Sequence, residues 1–152
     1  MECLIFSKTK KLPPLSRKKI EAALFFVLKK EQRPGLISLH LLGDAAMKKM
    51  NYNFRGKNKT TDVLSFSAAE EKNQTAWPNP EQGNYPDLGD LFLNPSQIAR
   101  QAKEWGVGTK EEFVRMLIHG TLHILGYDHM EPAEAKIMFS KQEKYLDQIL
   151  EK

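Results

Sequence analysis

The stretch His119-Gly-Thr-Leu-His-Ile-Leu-Gly-Tyr-Asp-His129 decides how the rest of the sequence is interpreted, because it holds three of the chain's four histidines. Residues four apart lie on one face of a helix, so a helix here places His119 and His123 side by side. Gly126 can adopt a positive φ and end that helix, after which His129 folds back toward the first two histidines. Three imidazoles so arranged can occupy three corners of a tetrahedron and leave the fourth open to water. The sequence therefore predicts one zinc ion per chain, held by these three side chains.

The spacing His-x3-His-x5-His is also that of the metzincin zinc proteases, whose motif is H-E-x-x-H-x-x-G-x-x-H. In that motif the glutamate after the first histidine takes a proton from the zinc-bound water. The same position here is Gly120, which has no side chain for this task. The residues therefore predict a metalloprotease-like zinc site whose chemistry is not peptide hydrolysis, and a zinc peptidase is the less favoured alternative.

Three other residues could complete or orient the site. Asp128 could bind the metal, orient an imidazole from behind, or act as a turn residue that hydrogen-bonds to its own backbone. Cys3, the single cysteine, is expected to be a buried, inert thiol, although it could approach the site as a fourth ligand. His40 lies in an apolar run and is expected to be a partly buried strand residue, not a ligand.

Length and composition limit the classes of protein to consider. A chain of 152 residues with 41% hydrophobic and 28% charged residues is typical of one folded domain. No stretch is apolar over the roughly 18 residues that a membrane span needs, and residues 1–7 lack the features of a signal peptide. We therefore expect a single domain over residues 1–152 in a cytoplasmic protein.

The charge of the chain is unevenly distributed. Residues 1–33 carry nine basic residues against three acids, residues 48–59 carry five basic residues and no acid, and residues 60–94 reverse this balance. A basic half of this kind fits a polyanion such as RNA. Solvated helix faces give the same pattern, so a net charge of +4 does not choose between the two interpretations.

Strand and helix patterns alternate along the chain. Strands are predicted over Cys3–Phe6, Leu36–Leu42, Asp62–Ser67 and Leu88–Leu93. Helices are predicted over residues 16–32, 44–53, 94–105, 109–125 and 131–150, with Ser16, Asp44 and Asn94 as caps and Thr109 with Glu112 as a capping box. Residues 68–87, which hold three prolines, are predicted to form a surface loop. This interleaving predicts a single α/β-type (α+β) domain.

The eleven residues from His119 to His129 resemble the signature of the YbeY family of bacterial metal-dependent endoribonucleases. Two further segments agree: Asn53-Phe-Arg-Gly-Lys-Asn-Lys-Thr-Thr-Asp-Val-Leu-Ser-Phe66 resembles the family's arginine-bearing loop and following strand, and Leu88-Gly-Asp-Leu-Phe-Leu93 resembles its next strand. The similarity covers most of residues 45–130. Ser67 stands where the family usually has proline, and residues 68–87 are long for that loop, so the rim of the cleft departs from the family pattern.

The resemblance implies a small, mixed, mostly parallel four-stranded sheet surrounded by helices, with the metal at the end of the sheet in a positively lined cleft. It implies a hydrolase that cuts single-stranded RNA, and not DNA, in ribosomal RNA processing, notably at the 3′ end of the small-subunit RNA, and in ribosome quality control. The implied partners are ribosomal RNA and the small ribosomal subunit. A ribosome-assembly factor that only binds RNA around a structural zinc is the alternative to an enzyme.

Arg55 is the catalytic candidate, carried over from the family's matching arginine. Phosphodiester cleavage gathers negative charge on phosphate oxygens, which a guanidinium stabilises, with either water or the RNA's 2′-hydroxyl as the nucleophile. Without the resemblance, Arg55 would be a surface arginine in a basic loop. Lys57 and Lys59 are expected to contact backbone phosphates. Tyr127 or Phe54 is expected either to stack on an unpaired base or to pack within the protein.

Overall fold

The structure is a computed structural model that describes residues 1–68 and 85–151. Within these ranges the elements are, in chain order, β1 Glu2–Lys8, α1 Arg17–Lys30, β2 Leu36–Leu42, α2 Asp44–Arg55, β3 Val63–Ser67, β4 Asp87–Leu93, α3 Pro95–Trp105, α4 Thr109–Ile124 and α5 Pro132–Leu150. Every predicted strand and helix is present, and the ends differ from the prediction by at most two residues. The predicted loop over residues 68–87 lies mostly outside the described residues.

The four strands form one sheet with the order β1–β2–β4–β3. β1 pairs with β2 and β2 with β4 in parallel, whereas β3 runs antiparallel to β4. The sheet is therefore mixed and mostly parallel, which confirms the expected architecture. β3 lies at one edge of this sheet, and α4 packs against it.

Helix α4 is the centre of the fold. It packs on β3 and β4, and α1, α3 and α5 surround it. Phe113, Leu117 and Ile118 of α4 are almost fully buried in one apolar cluster with Leu39 and Leu91 of the sheet. Burial on most sides fixes the direction in which the remaining side chains of α4 project. No helix in the described ranges has both the length and the apolar composition to cross a membrane.

Helix α4 lies very close to the sheet at Gly120. A Cβ atom at this position would lie 2.2 Å from Cδ1 of Leu91 and 3.1 Å from Cγ2 of Val63. Both distances are shorter than the roughly 3.5–4.0 Å at which carbon atoms pack. Leu91 is fully buried and has little room to move away. Glycine at position 120 therefore sets how closely the helix carrying the histidines lies against the sheet.

Two of the predicted helix caps are confirmed. The hydroxyl of Ser16 accepts a hydrogen bond from the backbone N–H of Lys19 at 3.3 Å at the start of α1. At the start of α3, Oδ1 of Asn94 accepts hydrogen bonds from the backbone N–H groups of Ser96 and Gln97. These side chains satisfy backbone donors that the first helical turn leaves unpaired.

The predictions that Asp44 caps α2 and that Thr109 with Glu112 forms a capping box are wrong. Gly43 and Gly108 precede these helices, and neither helix has a side-chain cap. The two carboxylates have stronger partners elsewhere. Asp44 accepts a hydrogen bond from Nη2 of Arg100 at 2.6 Å, and Glu112 turns into the interior toward a neighbouring arginine of its own helix. An ionic partner at short distance outweighs a cap worth about 1 kcal/mol.

Candidate metal centre

His119 and His123 project from α4 one turn apart, and His129 lies in the segment between α4 and α5. One potential ligand atom from each histidine lies within 4.8 Å of those of the other two. Gly126 has a φ of 109°, so it makes the predicted turn that returns the chain toward α4. Among the residues that the structure describes, this group of potential ligands contains no fourth side chain. The three predicted ligands are thus brought together with one side left open.

The three histidines line a cleft of about 460 Å³. The edge strand β3 lines the same cleft along its whole length, as do Asp62 and Arg55, which ends α2. Arg55 is far from the histidines in sequence, and the fold brings it to the same cleft. Neither Lys57 nor Lys59 belongs to the cleft lining, although both are exposed in the segment after α2.

The electrostatics of the cleft favour neutral imidazoles. The pKa of His123 is lowered to about 4, mainly by burial and also by the proximity of the other two histidines. Burial also lowers the pKa of His119, and the hydrogen bond that its ring donates to Gln142 opposes this shift. Both rings are therefore neutral near pH 7, which is the form that binds a metal ion. Three imidazole donors fit zinc, and they also fit nickel, copper or iron.

Residues 5–150 match the model of a protein family described as Endoribonuclease YbeY. The chain belongs to this family. A relative named Endoribonuclease YbeY from Persephonella marina is 41% identical over 114 residues, which cover 74% of this chain and 69% of the relative. Another of that name from Listeria monocytogenes is 35% identical over 153 residues, which cover 97% of this chain and 94% of the relative. The solution structure of TM1509 from Thermotoga maritima matches 97% of this chain and 88% of its own, with a TM-score of 0.64 and 26% identity.

The YbeY-family site has a polar partner behind the first histidine that no sequence pattern indicates. Oε1 of Gln142, on α5, lies 2.7 Å from Nδ1 of His119, and Gln142 is only 5% exposed. Phe139 of the same helix lies nearly parallel to the rings of His119 and His129, with centroids 6.1 and 5.9 Å away. Helix α5 therefore supplies both a hydrogen bond and an aromatic ring to the histidine group.

A second unpredicted group anchors the segment that carries His129. The hydroxyl of Tyr127 donates to Oε1 of Glu31, at the end of α1, at 2.6 Å. Lys141 and Tyr145 of α5 donate to the other carboxylate oxygen, Lys141 at 2.9 Å. Burial of Glu31 raises its pKa, but these three hydrogen bonds outweigh burial and leave the pKa below its usual value. Of the two alternatives for Tyr127, the structure supports packing within the protein.

Asp128 and Cys3 do not join the group of potential metal ligands. Oδ1 of Asp128 accepts a hydrogen bond from the backbone N–H of His129 at 2.7 Å, so this residue takes the predicted turn role. Cys3 is half-buried on β1, and burial raises the pKa of its thiol to about 12. The raised pKa agrees with the expected inert thiol, whereas the burial of Cys3 is only partial.

His40 and Phe54 lie on the outer side of the sheet. His40 is partly buried on β2 and its Nε2 lies 3.0 Å from Oδ1 of Asp90, as expected of a strand residue that is not a ligand. Phe54 is 64% exposed and meets the ring of Phe66, which lines the cleft, edge to face. The ring of Phe54 therefore packs against the protein at one edge only. Most of the ring is open to solvent, so both predictions for Phe54, packing and stacking on a base, remain compatible with its position.

Proposed function

We propose that this chain is a zinc-dependent endoribonuclease that cuts single-stranded RNA. One observation carries the proposal: three histidines able to hold a metal ion and the guanidinium of Arg55 line the same cleft. The family supports the activity, because its relatives are named endoribonucleases. The cleft supports it independently, because it combines a metal site with a cation suited to a phosphate.

His119, His123 and His129 would hold the ion. When bound, the ion supplies a Lewis acid that lowers the pKa of a water ligand and polarises a phosphoryl oxygen. Arg55 donates hydrogen bonds to the non-bridging phosphate oxygens, and these bonds strengthen as the oxygens gain negative charge. Arg55 is the catalytic residue in this proposal. Asp62 also lines the cleft, but its carboxylate already accepts hydrogen bonds from the backbone N–H of Val63 and from Gln101, so it shapes the wall.

The form of the cleft supports a single-stranded substrate. A phosphodiester has to come within reach of three imidazoles and Arg55 at once, and a flexible strand adjusts its backbone to do so. A duplex keeps its phosphates on a rigid helix. Lys57 and Lys59, exposed after α2, are placed to contact neighbouring phosphates, which positions the strand without reading its sequence.

We further propose that the substrate is ribosomal RNA, cut at the 3′ end of the small-subunit RNA, with the small ribosomal subunit as partner and a role in ribosome quality control. Family resemblance supports this, as does the basic segment over residues 48–59. Such a role places the activity in the cytoplasm, where ribosomes mature. DNA is not an expected substrate, because it lacks the 2′-hydroxyl by which proteins distinguish RNA.

The two alternatives have less support. A zinc peptidase of the metzincin kind needs a glutamate at position 120, where even a Cβ atom would lie 2.2 Å from Cδ1 of Leu91. A structural zinc site is usually closed by four protein ligands. The group that the described residues form has three, and an open coordination position suits a catalyst better than a structural ion.

The test combines metal analysis with RNA cleavage. Purified protein is assayed for bound metal and for cleavage of a single-stranded oligonucleotide and the matching duplex. We expect one metal ion per chain, cleavage of the single strand alone, loss of cleavage with EDTA or in His119→Ala, and recovery of the EDTA-treated wild type with Zn²⁺. Arg55→Ala should keep the metal and lose about 100–1,000-fold in kcat. Metal binding without cleavage by the wild type would refute the enzyme and support the assembly factor.

A further inference from the structure

A chain of hydrogen bonds starts at His119 and continues away from the cleft. Oε1 of Gln142 lies 2.7 Å from Nδ1 of His119, and Nε2 of the same amide donates to Oε2 of Glu143 at 3.0 Å. Nε of Arg115, one turn before His119 on α4, donates to the same carboxylate oxygen at 3.0 Å. Gln142 is therefore held at both ends of its amide group.

The network does not end at Arg115. Nη1 of Arg115 donates to Oε1 of Glu112 at 2.6 Å, and Glu112 is fully buried. Nε2 of Gln101 lies 2.9 Å from both Oε2 of Glu112 and Oδ2 of Asp62, which lines the cleft. The network thus begins and ends at residues of the cleft and passes beneath it through the interior. Every member has a partner on each side, so its geometry is restricted.

The carboxylate of Glu143 fixes which way the amide of Gln142 points. An ionised carboxylate only accepts hydrogen bonds, so it has to face the NH₂ group of Gln142. The carbonyl oxygen of Gln142 then faces His119, and an oxygen can only accept. Nδ1 of His119 must therefore carry the proton, and Nε2 keeps its lone pair.

We propose that Gln142 is a positioning residue that holds His119 in the Nδ1–H tautomer and so presents its Nε2 atom to the metal. The inference rests on the metal site proposed above, and it goes beyond that site by naming the group that prepares a ligand. Free imidazole side chains favour the other tautomer, in which Nε2 is protonated and cannot bind a metal. Gln142 supplies the preference that histidine lacks, with Arg115 and Glu143 holding Gln142 in turn. Hydrogen-bond partners of this kind typically change metal affinity by about 10–100-fold.

The test uses four proteins: the wild type, Gln142→Leu, the double variant Gln142→Glu with Glu143→Gln, and Gln148→Leu. The leucine at 142 removes the acceptor. The double variant keeps an acceptor facing His119 and exchanges the positions of amide and carboxylate, so it should restore the hydrogen bond. Gln148→Leu changes the same residue type on the same helix in a different surface pocket, and serves as the matched control.

Two readouts distinguish this inference from the proposed function. Nitrogen-15 NMR of the metal-free protein near neutral pH shows which ring nitrogen of His119 carries the proton, and competition with a chelator measures the affinity for Zn²⁺. We expect the Nδ1–H form in the wild type and the double variant, a shift toward Nε2–H in Gln142→Leu, and Zn²⁺ affinity lower by about 10–100-fold in Gln142→Leu alone. Gln148→Leu should match the wild type in both.

A proton on Nε2 of His119 in the wild type would overturn the inference. So would unchanged Zn²⁺ affinity in Gln142→Leu. If Gln142→Leu does not fold, the double variant decides: wild-type tautomer and affinity support the inference, and a loss of both in a folded protein refutes it. A wild type that shows the Nδ1–H form but binds no Zn²⁺ would refute the proposed metal site, and Gln142 would then have no ligand to position.

Discussion

Gly120→Ala tests whether the close approach of α4 to the sheet has the cause described above. The added methyl group would lie 2.2 Å from Cδ1 of Leu91 and 3.1 Å from Cγ2 of Val63. Gly120 and Leu91 are buried, so either the helix or Leu91 has to move. In most helices this substitution stabilises, because alanine has a higher helix propensity than glycine. Close packing against the sheet predicts that Gly120→Ala destabilises the protein, whereas helix propensity alone predicts that it stabilises. The sign of the change in the free energy of unfolding therefore distinguishes the two.

The magnitude follows from two opposing contributions. Overpacking a well-packed core costs about 1–3 kcal/mol, and the gain in helix propensity is about 1 kcal/mol. We expect a net loss of about 0–2 kcal/mol in the free energy of unfolding of Gly120→Ala. For a chain of this length each kcal/mol lowers Tm by about 2–4 °C, so Tm should fall by up to about 8 °C.

A double-mutant cycle with Leu91→Ala isolates the contact, with urea unfolding as the assay. Leu91→Ala alone should lower the free energy of unfolding by about 2–5 kcal/mol, because it leaves a cavity. In that background the methyl group at position 120 has space, so Gly120→Ala should be neutral or stabilising by up to about 1 kcal/mol. The coupling energy between the two sites should then be about 1–3 kcal/mol. A Gly120→Ala variant more stable than the wild type, or the same change in stability in both backgrounds, would refute the packing argument.

Three further predictions concern charged groups. Glu31→Gln should lower the free energy of unfolding by about 1–3 kcal/mol at pH 7, through weaker hydrogen bonds to the carboxyl position. Because the pKa of Glu31 in the folded state lies below the usual 4.5, its contribution is complete above that pH and is lost as the pH falls through the folded-state pKa. The gap between variant and wild type in urea unfolding should therefore narrow in acid, and a gap that stays constant would contradict this. Arg115→Met should lower the free energy of unfolding by about 3–5 kcal/mol, because it leaves the carboxylate of Glu112 buried without its cation. Adding Glu112→Gln should recover part of this loss in stability, and the absence of any recovery would argue against that cause. Arg55→Lys keeps the charge but loses the bidentate contact with phosphate, so kcat for RNA cleavage should fall well below that of the wild type. Lys57→Ala should instead raise KM and weaken the salt dependence of RNA binding, with kcat unchanged. Equal effects of the two substitutions would contradict a special role for Arg55.

Much of the fold follows from local signals. Asn94 followed by proline, and Ser16 three residues before an amide it can bond, start helices where such patterns predict. The same reasoning fails at Asp44, because Arg100 is 56 residues away in sequence and its position becomes known only once the sheet has formed. Propensity and spacing describe neighbours along the chain. They do not describe which distant cation a carboxylate will meet.

The candidate site also contains residues that local sequence signals predict and residues that they do not. His119, His123 and His129 lie within one stretch whose spacing determines that they meet. Arg55 is indicated by family resemblance alone, since nothing in its own segment points to a cleft formed with α4. Gln142 and the Glu31 group have no local signal, because the hydrogen bond between Gln142 and His119 and those to Glu31 join residues 23 to 114 positions apart. The ligands of a site can therefore be more predictable than the residues that hold those ligands.

The position of β3 at the border of the sheet has a consequence for selectivity. Among the residues that the structure describes, β3 has a strand partner, β4, on one side only, and the whole length of β3 lines the cleft. The peptide groups of an edge strand that face away from its partner point outward, so backbone donors and acceptors lie beside the cleft. A row of peptide donors and acceptors repeats identically along a strand, whatever the side chains are. Such a border can bond to the ribose and phosphate groups of any RNA, but it carries no code for the bases. A nuclease that binds RNA along such a strand would cut where the RNA is accessible. The folded state of the RNA and the partners bound to it would then determine which position is cut.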